Sequence, residues 1–197
     1  MKFSLIVGGV GAQGSILSSS IIADGAIKSG YEVRVGETFG AAMRGGAVAS
    51  HVKIGDIYSP LVEEDMADVI LSMEPMESLR LAVQYLSPYG IVISDTKPWY
   101  PVDVNIGAAE YPPIEVIEEN LLKLGKKAYL LDAGELAVKA GNPKTANIVL
   151  IGALSALRIL PIEENYLLEA IKDRVPSKMA DINIKAFWLG SNAVIRH

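Results

Sequence analysis

Cysteine is absent from this chain of 197 residues, and histidine occurs only at His51 and His197. Without thiols the chain can form no disulfide, no thiolate nucleophile and no cysteine-ligated zinc or iron–sulfur centre of its own. Two histidines, one of them terminal, argue against a histidine-rich metal site or a Ser-His-Asp triad. No metal site is expected, and no catalytic residue can be named. No apolar run reaches membrane-spanning length, and Phe3–Val7 is strand-sized and unlike a signal peptide, so the expected compartment is the cytoplasm, without a membrane partner. Basic residues number 18 against 23 acidic ones, a formal charge of −5 with no basic cluster. Nucleic acid is therefore not an expected partner.

What is present is apolar and regularly punctuated. Half of the residues are hydrophobic, enough to bury a core in a single domain spanning residues 1–197. Lys2–Val7 reads as a buried strand. Gly14–Ser29 reads as a helix closed by Gly30, and Tyr31–Val35 as a second strand, a β-α-β start whose strands should run parallel. Ala47–Ile54 alternates, with Val48, Ser50, Val52 and Ile54 on one face and His51 and Lys53 on the other, which predicts a solvent-facing His51. Gly55-Asp56 then forms a turn, and Ile57–Val62 returns as a short strand that Pro60 either places at an edge or ends early. Strands Asp68–Met73, Gly90–Ser94 and Ala128–Asp132 follow. Helices are marked by Met76, Leu79, Val83 and Leu86, and by Ile114, Ile117, Leu121 and Leu124. From Ala133 onward the pattern is helical, broken at Pro143, Pro161 and Pro176. The expected architecture is α/β: a Rossmann-like, mostly parallel sheet flanked by helices, with an inserted β-hairpin and a helical C-terminal third.

Two motifs carry possible chemistry. Gly9-Val10-Gly11-Ala12-Gln13-Gly14 lies between a strand and a helix, where bare backbone and a helix N-terminus suit a phosphate-bearing ligand. Glu37 follows Gly14 by 23 residues, near the spacing of a ribose-binding acid. An NAD(P)- or flavin-binding oxidoreductase is one reading; glycines that merely permit close packing are another. Arg44-Gly45-Gly46 follows the small residues Gly40, Ala41 and Ala42, so its guanidinium could clamp a carboxylate or phosphate beside an approaching surface. Glu74, Asp95, Lys97 and Trp99 fall just after strands, at the end where open α/β sheets bind ligands. The acidic runs Glu63-Glu64-Asp65, Glu118-Glu119 and Glu163-Glu164 read as solvated faces or helix starts.

Gly8–Gly14, Glu37-Thr38-Phe39-Gly40 and Arg44-Gly45-Gly46, followed by Val48, Ser50 and Val52, together resemble the gamma-type subunits of 2-oxoacid:ferredoxin oxidoreductases. The likeness continues through Asp68–Leu71, Glu74-Pro75, Ile91–Ser94, Asn147 and Gly152-Ala153-Leu154. Within that family, the chain length and Glu37–Val62 are most similar to the subunits serving indolepyruvate. The resemblance implies coenzyme A-dependent oxidative decarboxylation of a 2-oxoacid to an acyl-CoA, with electrons passed to ferredoxin. It also implies thiamine diphosphate, Mg²⁺ and iron–sulfur clusters. This chain has no cysteine and no Gly-Asp-Gly…Asn-Asn string to hold them. The implied arrangement is a hetero-oligomer in which a larger subunit carries these cofactors and ferredoxin meets the assembly. Gly9, Gly11, Gln13, Gly14, Glu37, Arg44, Gly45 and Gly46 would contact coenzyme A, substrate or that subunit. A purely structural subunit without a ligand is the third reading.

Overall fold

A sheet of six strands divides the protein, a computed structural model describing residues 1–40 and 46–195, into two hydrophobic layers. The strands are β1 (Lys2–Val10), β2 (Val33–Phe39), β3 (Ala47–Gly55), β4 (Ala67–Ser72), β5 (Leu86–Asp95) and β6 (Lys127–Leu131), in spatial order β2-β3-β1-β4-β5-β6. Strands β1, β4, β5 and β6 pair in parallel, whereas β3 runs antiparallel between β1 and β2. Near-continuous apolar stretches such as Leu5–Val7 and Val69–Leu71 occupy the centre, as strands covered on both faces require.

Helix α1 (Ser15–Lys28) begins after Gly14 and ends at Ser29, with Gly30 left-handed beyond it, as expected. Helix α2 (Pro75–Tyr85) starts with Glu74 accepting the Glu77 N–H at 2.7 Å and Pro75 in the first turn. A short α3 (Val102–Asn105) and α4 (Ile114–Leu124) precede β6. The C-terminal third is helical, as its prolines indicate: α5 (Ala133–Ala140), α6 (Ala146–Ala156), α7 (Glu164–Arg174) and α8 (Ala180–Ile195). Helices α1, α5, α6, α7 and α8 build one layer of the core, and α2 with α4 the other. Between α6 and α8 the backbones nearly touch. A Cβ at Gly152 would fall 1.9 Å from the Phe187 carbonyl oxygen, and one at Gly190 1.8 Å from that of Val149.

Three expectations need correction. The inserted hairpin is made by β2 and β3, not by Ala47–Ile54 with Ile57–Val62, and the latter segment forms no strand. Gly55-Asp56 turns instead against the N-terminus: the Asp56 N–H donates to the Met1 carbonyl at 3.1 Å, and no Cβ would fit at Gly55. β2 is therefore parallel to β1 in direction but not beside it. Strand β5 begins at Leu86 and absorbs Pro88 and Gly90, because its ladder with β4 is interrupted between Ala67 and Val69 and no N–H is demanded of the proline there.

The third correction concerns His51, which is 1% exposed rather than solvent-facing. Residues 56–66 cross this face as an irregular strap. The Val62 N–H donates to His51 Nδ1 at 3.2 Å, and Tyr85 meets the ring edge-on. Burial, and then the Lys53 charge, hold the imidazole below its ordinary pKa. Lys53, also buried, donates to the Leu61 carbonyl at 3.1 Å and to Glu63 at 3.0 Å. Polar side chains alternating along β3 thus face backbone acceptors and donors of the strap, not water.

Candidate functional site

At the carboxyl ends of the parallel strands lies a cleft of about 920 Å³. Its floor is Gln13, Gly14 and Met73, one wall is Asp95–Trp99, and the facing wall carries Asp132, Glu135, Lys144 and Asn147. The floor follows from how β1 ends. Strand pairing continues through Gly8, Gly9 and Val10, so the glycine run is part strand and part turn. A Cβ at Gly8 would collide with Leu81, and one at Gly9 would lie 2.8 Å from Gln13 Oε1 and 3.0 Å from Met73 Cβ. Close packing accounts for these two glycines.

The turn proper is Gly11–Gly14. Gln13 folds back so that its Oε1 accepts the Val10 N–H at 2.7 Å. Ala12 and Gly14 are both left-handed, at φ 89° and 91°. Gly14 opens α1 without a side-chain cap, and the helix has no acidic residue in its first turn. With neither a cap nor an acid, the positive end of α1 is not offset by a side chain of its own first turn. Asn147 Nδ2 lies 3.3 Å from Ser18 Oγ and 3.4 Å from the Gly14 carbonyl, tying α6 to the turn.

The two sequence motifs meet here. The Gly11 N–H donates to the Gly46 carbonyl at 2.9 Å, so the residue ending the Arg-Gly-Gly run abuts the glycine turn. Arg44 and Gly45 lie outside the described residues. Glu37 is brought elsewhere: it is exposed on the edge strand β2, opposite Ser50. In a dinucleotide-binding domain the ribose-binding acid ends the strand beside β1. Here β3 occupies that place, which removes the geometric support for the NAD(P) or flavin reading.

The wall residues are held by buried carboxylates. Asp95, at the end of β5, accepts the N–H groups of Lys97 and Ala133, each at 3.2 Å. Burial, the largest cause, pushes its carboxyl up to about 6; the nearby Asp132 adds to this, while the backbone donors oppose it. Glu74 is 2% exposed and accepts Tyr111 OH at 2.5 Å and the Trp99 N–H at 3.2 Å. Burial and the Glu74 carboxylate raise the Tyr111 phenol far above its usual range. Trp99, 54% exposed, stands at the cleft's edge on that anchored loop. Sequence position located Glu74, Asp95, Lys97 and Trp99. It gave no signal for Tyr111, 37 residues from its partner, and only a strand-end position for Asp132. Lys144 and Glu135 reach the cleft from helical segments that look like ordinary solvated surface.

The donor set of the described residues does not fit a metal cofactor. The sequence contains no cysteine, and the described residues include no group of three or more His, Asp or Glu side chains able to hold an ion. No helix among the described residues is long and apolar enough to cross a membrane.

The family pattern for pyruvate ferredoxin/flavodoxin oxidoreductase matches residues 4–193. The chain is 41% identical over 197 residues to indolepyruvate oxidoreductase subunit IorB of Thermococcus kodakarensis, covering 98% of this chain and 96% of that protein. It is 38% identical over 195 residues to the protein of the same name from Archaeoglobus fulgidus, covering 99% and 96%. Among solved structures, the gamma subunit of a keto/oxoacid ferredoxin oxidoreductase from Geobacter sulfurreducens shares the fold, with a TM-score of 0.73, 24% identity and 99% coverage of both chains.

Proposed function

The chain belongs to the pyruvate ferredoxin/flavodoxin oxidoreductase family, and on that premise we propose that it is the subunit without redox cofactors of an indolepyruvate:ferredoxin oxidoreductase. The observation that carries this is identity of 41% with an indolepyruvate oxidoreductase subunit, sustained across nearly the whole of both chains. The complex oxidatively decarboxylates an aryl 2-oxoacid with coenzyme A, forming an acyl-CoA and carbon dioxide and passing the electrons to ferredoxin. Thiamine diphosphate, Mg²⁺ and iron–sulfur clusters reside on a larger partner subunit; the reading is supported by a sequence without cysteine and by the lack of a metal-holding cluster among the described residues.

The contribution of this chain is binding and shielding. Gln13 and Gly14, just before α1, form the floor of the cleft, and Gly46 adjoins the same turn at Gly11. The N-terminus of α1, with Lys97 and Lys144 on the walls, suits the phosphates of coenzyme A or an oxoacid carboxylate. Arg44 supplies a further cation in the same motif.

Reconstitution tests the division of labour. The purified chain should neither decarboxylate indolepyruvate nor absorb as an iron–sulfur protein. Co-expression with the larger subunit should give a complex that reduces ferredoxin only when both indolepyruvate and coenzyme A are supplied. Turnover by the lone chain would refute the proposal, as would a fully active larger subunit that never binds this one.

A further inference from the structure

The open edge of the sheet at β2 is unlike the rest of the fold. In the β2–β3 ladder the Gly55 N–H donates to the Glu32 carbonyl, and the Gly40 N–H to the Ala47 carbonyl, both at 2.9 Å. With the register Val33↔Ile54 through Phe39↔Val48, antiparallel alternation turns the backbone groups of Arg34, Gly36 and Thr38 toward β3. The N–H and C=O groups of Val33, Val35, Glu37 and Phe39 therefore point away from the sheet. Natural edges are usually blunted by prolines, bulges, charged side chains or a covering loop. β2 has no proline and no bulge, and its register with β3 is unbroken; Arg34 and Gly36 lie against Ile57, Pro60 and Leu61 of the strap, while Glu37 is the one charge on the other face. Val35 is 41% exposed and Phe39 51% exposed on the same face as Glu37. The opposite edge, β6, is shorter, starts with Lys127, and has its other side chains at least half-buried.

We propose that β2 is a docking edge that receives an extended segment of the larger partner subunit as a seventh strand, with a basic side chain of that segment beside Glu37. This rests on the chain's being one subunit of a hetero-oligomer. Strand addition satisfies the outward backbone groups in a way that contact with a helix or an irregular surface would not. It also covers Val35 and Phe39. Charge selects the occupant. A second copy pairing antiparallel about Gly36 would set Val33 against Phe39 and Val35 against Glu37. It would also bring the two Glu37 carboxylates to diagonal positions on one face, within about 7–8 Å, where like charges repel. A basic residue on a different chain converts that repulsion into a cross-strand ion pair.

Residue-resolved amide exchange, on the chain alone and on the co-expressed complex, gives the test. In the chain alone the Arg34, Gly36 and Thr38 amides should be slow and those of Val35, Glu37 and Phe39 fast. In the complex the second set should slow by about tenfold or more. Val35→Pro removes an outward N–H and none of the bonds to β3, and proline is tolerated at such an edge position, so the variant should fold and lose the complex. Glu37→Gln keeps the backbone and should weaken assembly about two- to fivefold. A complex that assembles while these amides stay fast overturns the docking edge and leaves the subunit reading standing. Failure of any complex to form overturns both. Slowing in the chain alone at doubled mass, with Glu37→Gln tightening association, assigns the edge to a second copy and overturns the proposal.

Discussion

Asp95 shows how a single carboxyl can be useful to a site and costly to the fold. It is 6% exposed, yet it orients the backbone at both Lys97 and Ala133. Its pKa rises from an ordinary 3.8 to about 6, chiefly through burial. Between those values the folded chain keeps a proton that the unfolded chain releases, so stability falls as pH rises through that window. Asp95→Asn retains an acceptor oxygen without the charge. It should raise stability near pH 7.5 by about 1–3 kcal/mol and change it little near about pH 3.5, as urea unfolding at the two pH values would measure. Equal effects at both would mean that the aspartate is not protonated by its surroundings. Its position after a strand is legible in the sequence; its burial is not, because the covering α5 comes from residues nearly forty positions on. His51 illustrates the opposite difficulty. Alternation assigns it to the polar face of β3 correctly, but nothing local announces that the Val62 N–H will be waiting there.

Among the elements, α6 and α8 depend most on missing atoms. Gly152 and Gly190 let the helices approach until each meets the other's carbonyl groups. Gly152→Ala should cost more than about 3 kcal/mol, beyond the usual range of a single substitution, because the obstruction is backbone that no rotamer change can clear. Gly30→Ala offers the contrast, since no atom lies within 4 Å of a Cβ there and only its left-handed backbone resists. Thermal denaturation of the two variants checks the difference, and similar losses would refute the close-crossing account. The C-terminal helices are readable in advance because Pro143, Pro161 and Pro176 bracket them and Gly141 stops α5 in a left-handed cap. The hairpin is not. Gly55-Asp56 has the composition of a tight turn, and only the approach of Met1 reveals why a glycine stands there. Sequence spacing identifies strands well and their neighbours poorly, since β3 must pass between two strands that precede it.

For the whole molecule, the relevant unit is the assembly. The cleft, the glycine turn and the residue ending the Arg-Gly-Gly run share one end of the sheet, and the family places such chains in ferredoxin-linked oxidoreductases. On the proposal that Arg44 meets a ligand, Arg44→Ala should abolish or sharply reduce indolepyruvate-dependent ferredoxin reduction while the complex still elutes intact. Loss of the complex itself would move Arg44 from ligand binding to subunit packing. The joining of the two motifs could not be derived from either alone; it depends on β3 carrying Gly46 back to Gly11.

The reversed course of β3 has a consequence for how such a chain can diversify. An ordinary crossover helix would fix the spacing between β1 and its neighbour, whereas a hairpin behaves as an extendable arm. Each residue added to both β2 and β3 lengthens the arm by about 3.3 Å, and adding them in pairs preserves which face each side chain occupies. Lengthening in such pairs extends the edge of the sheet while Val48, Val52 and Ile54 of β3 keep the face that packs into the core.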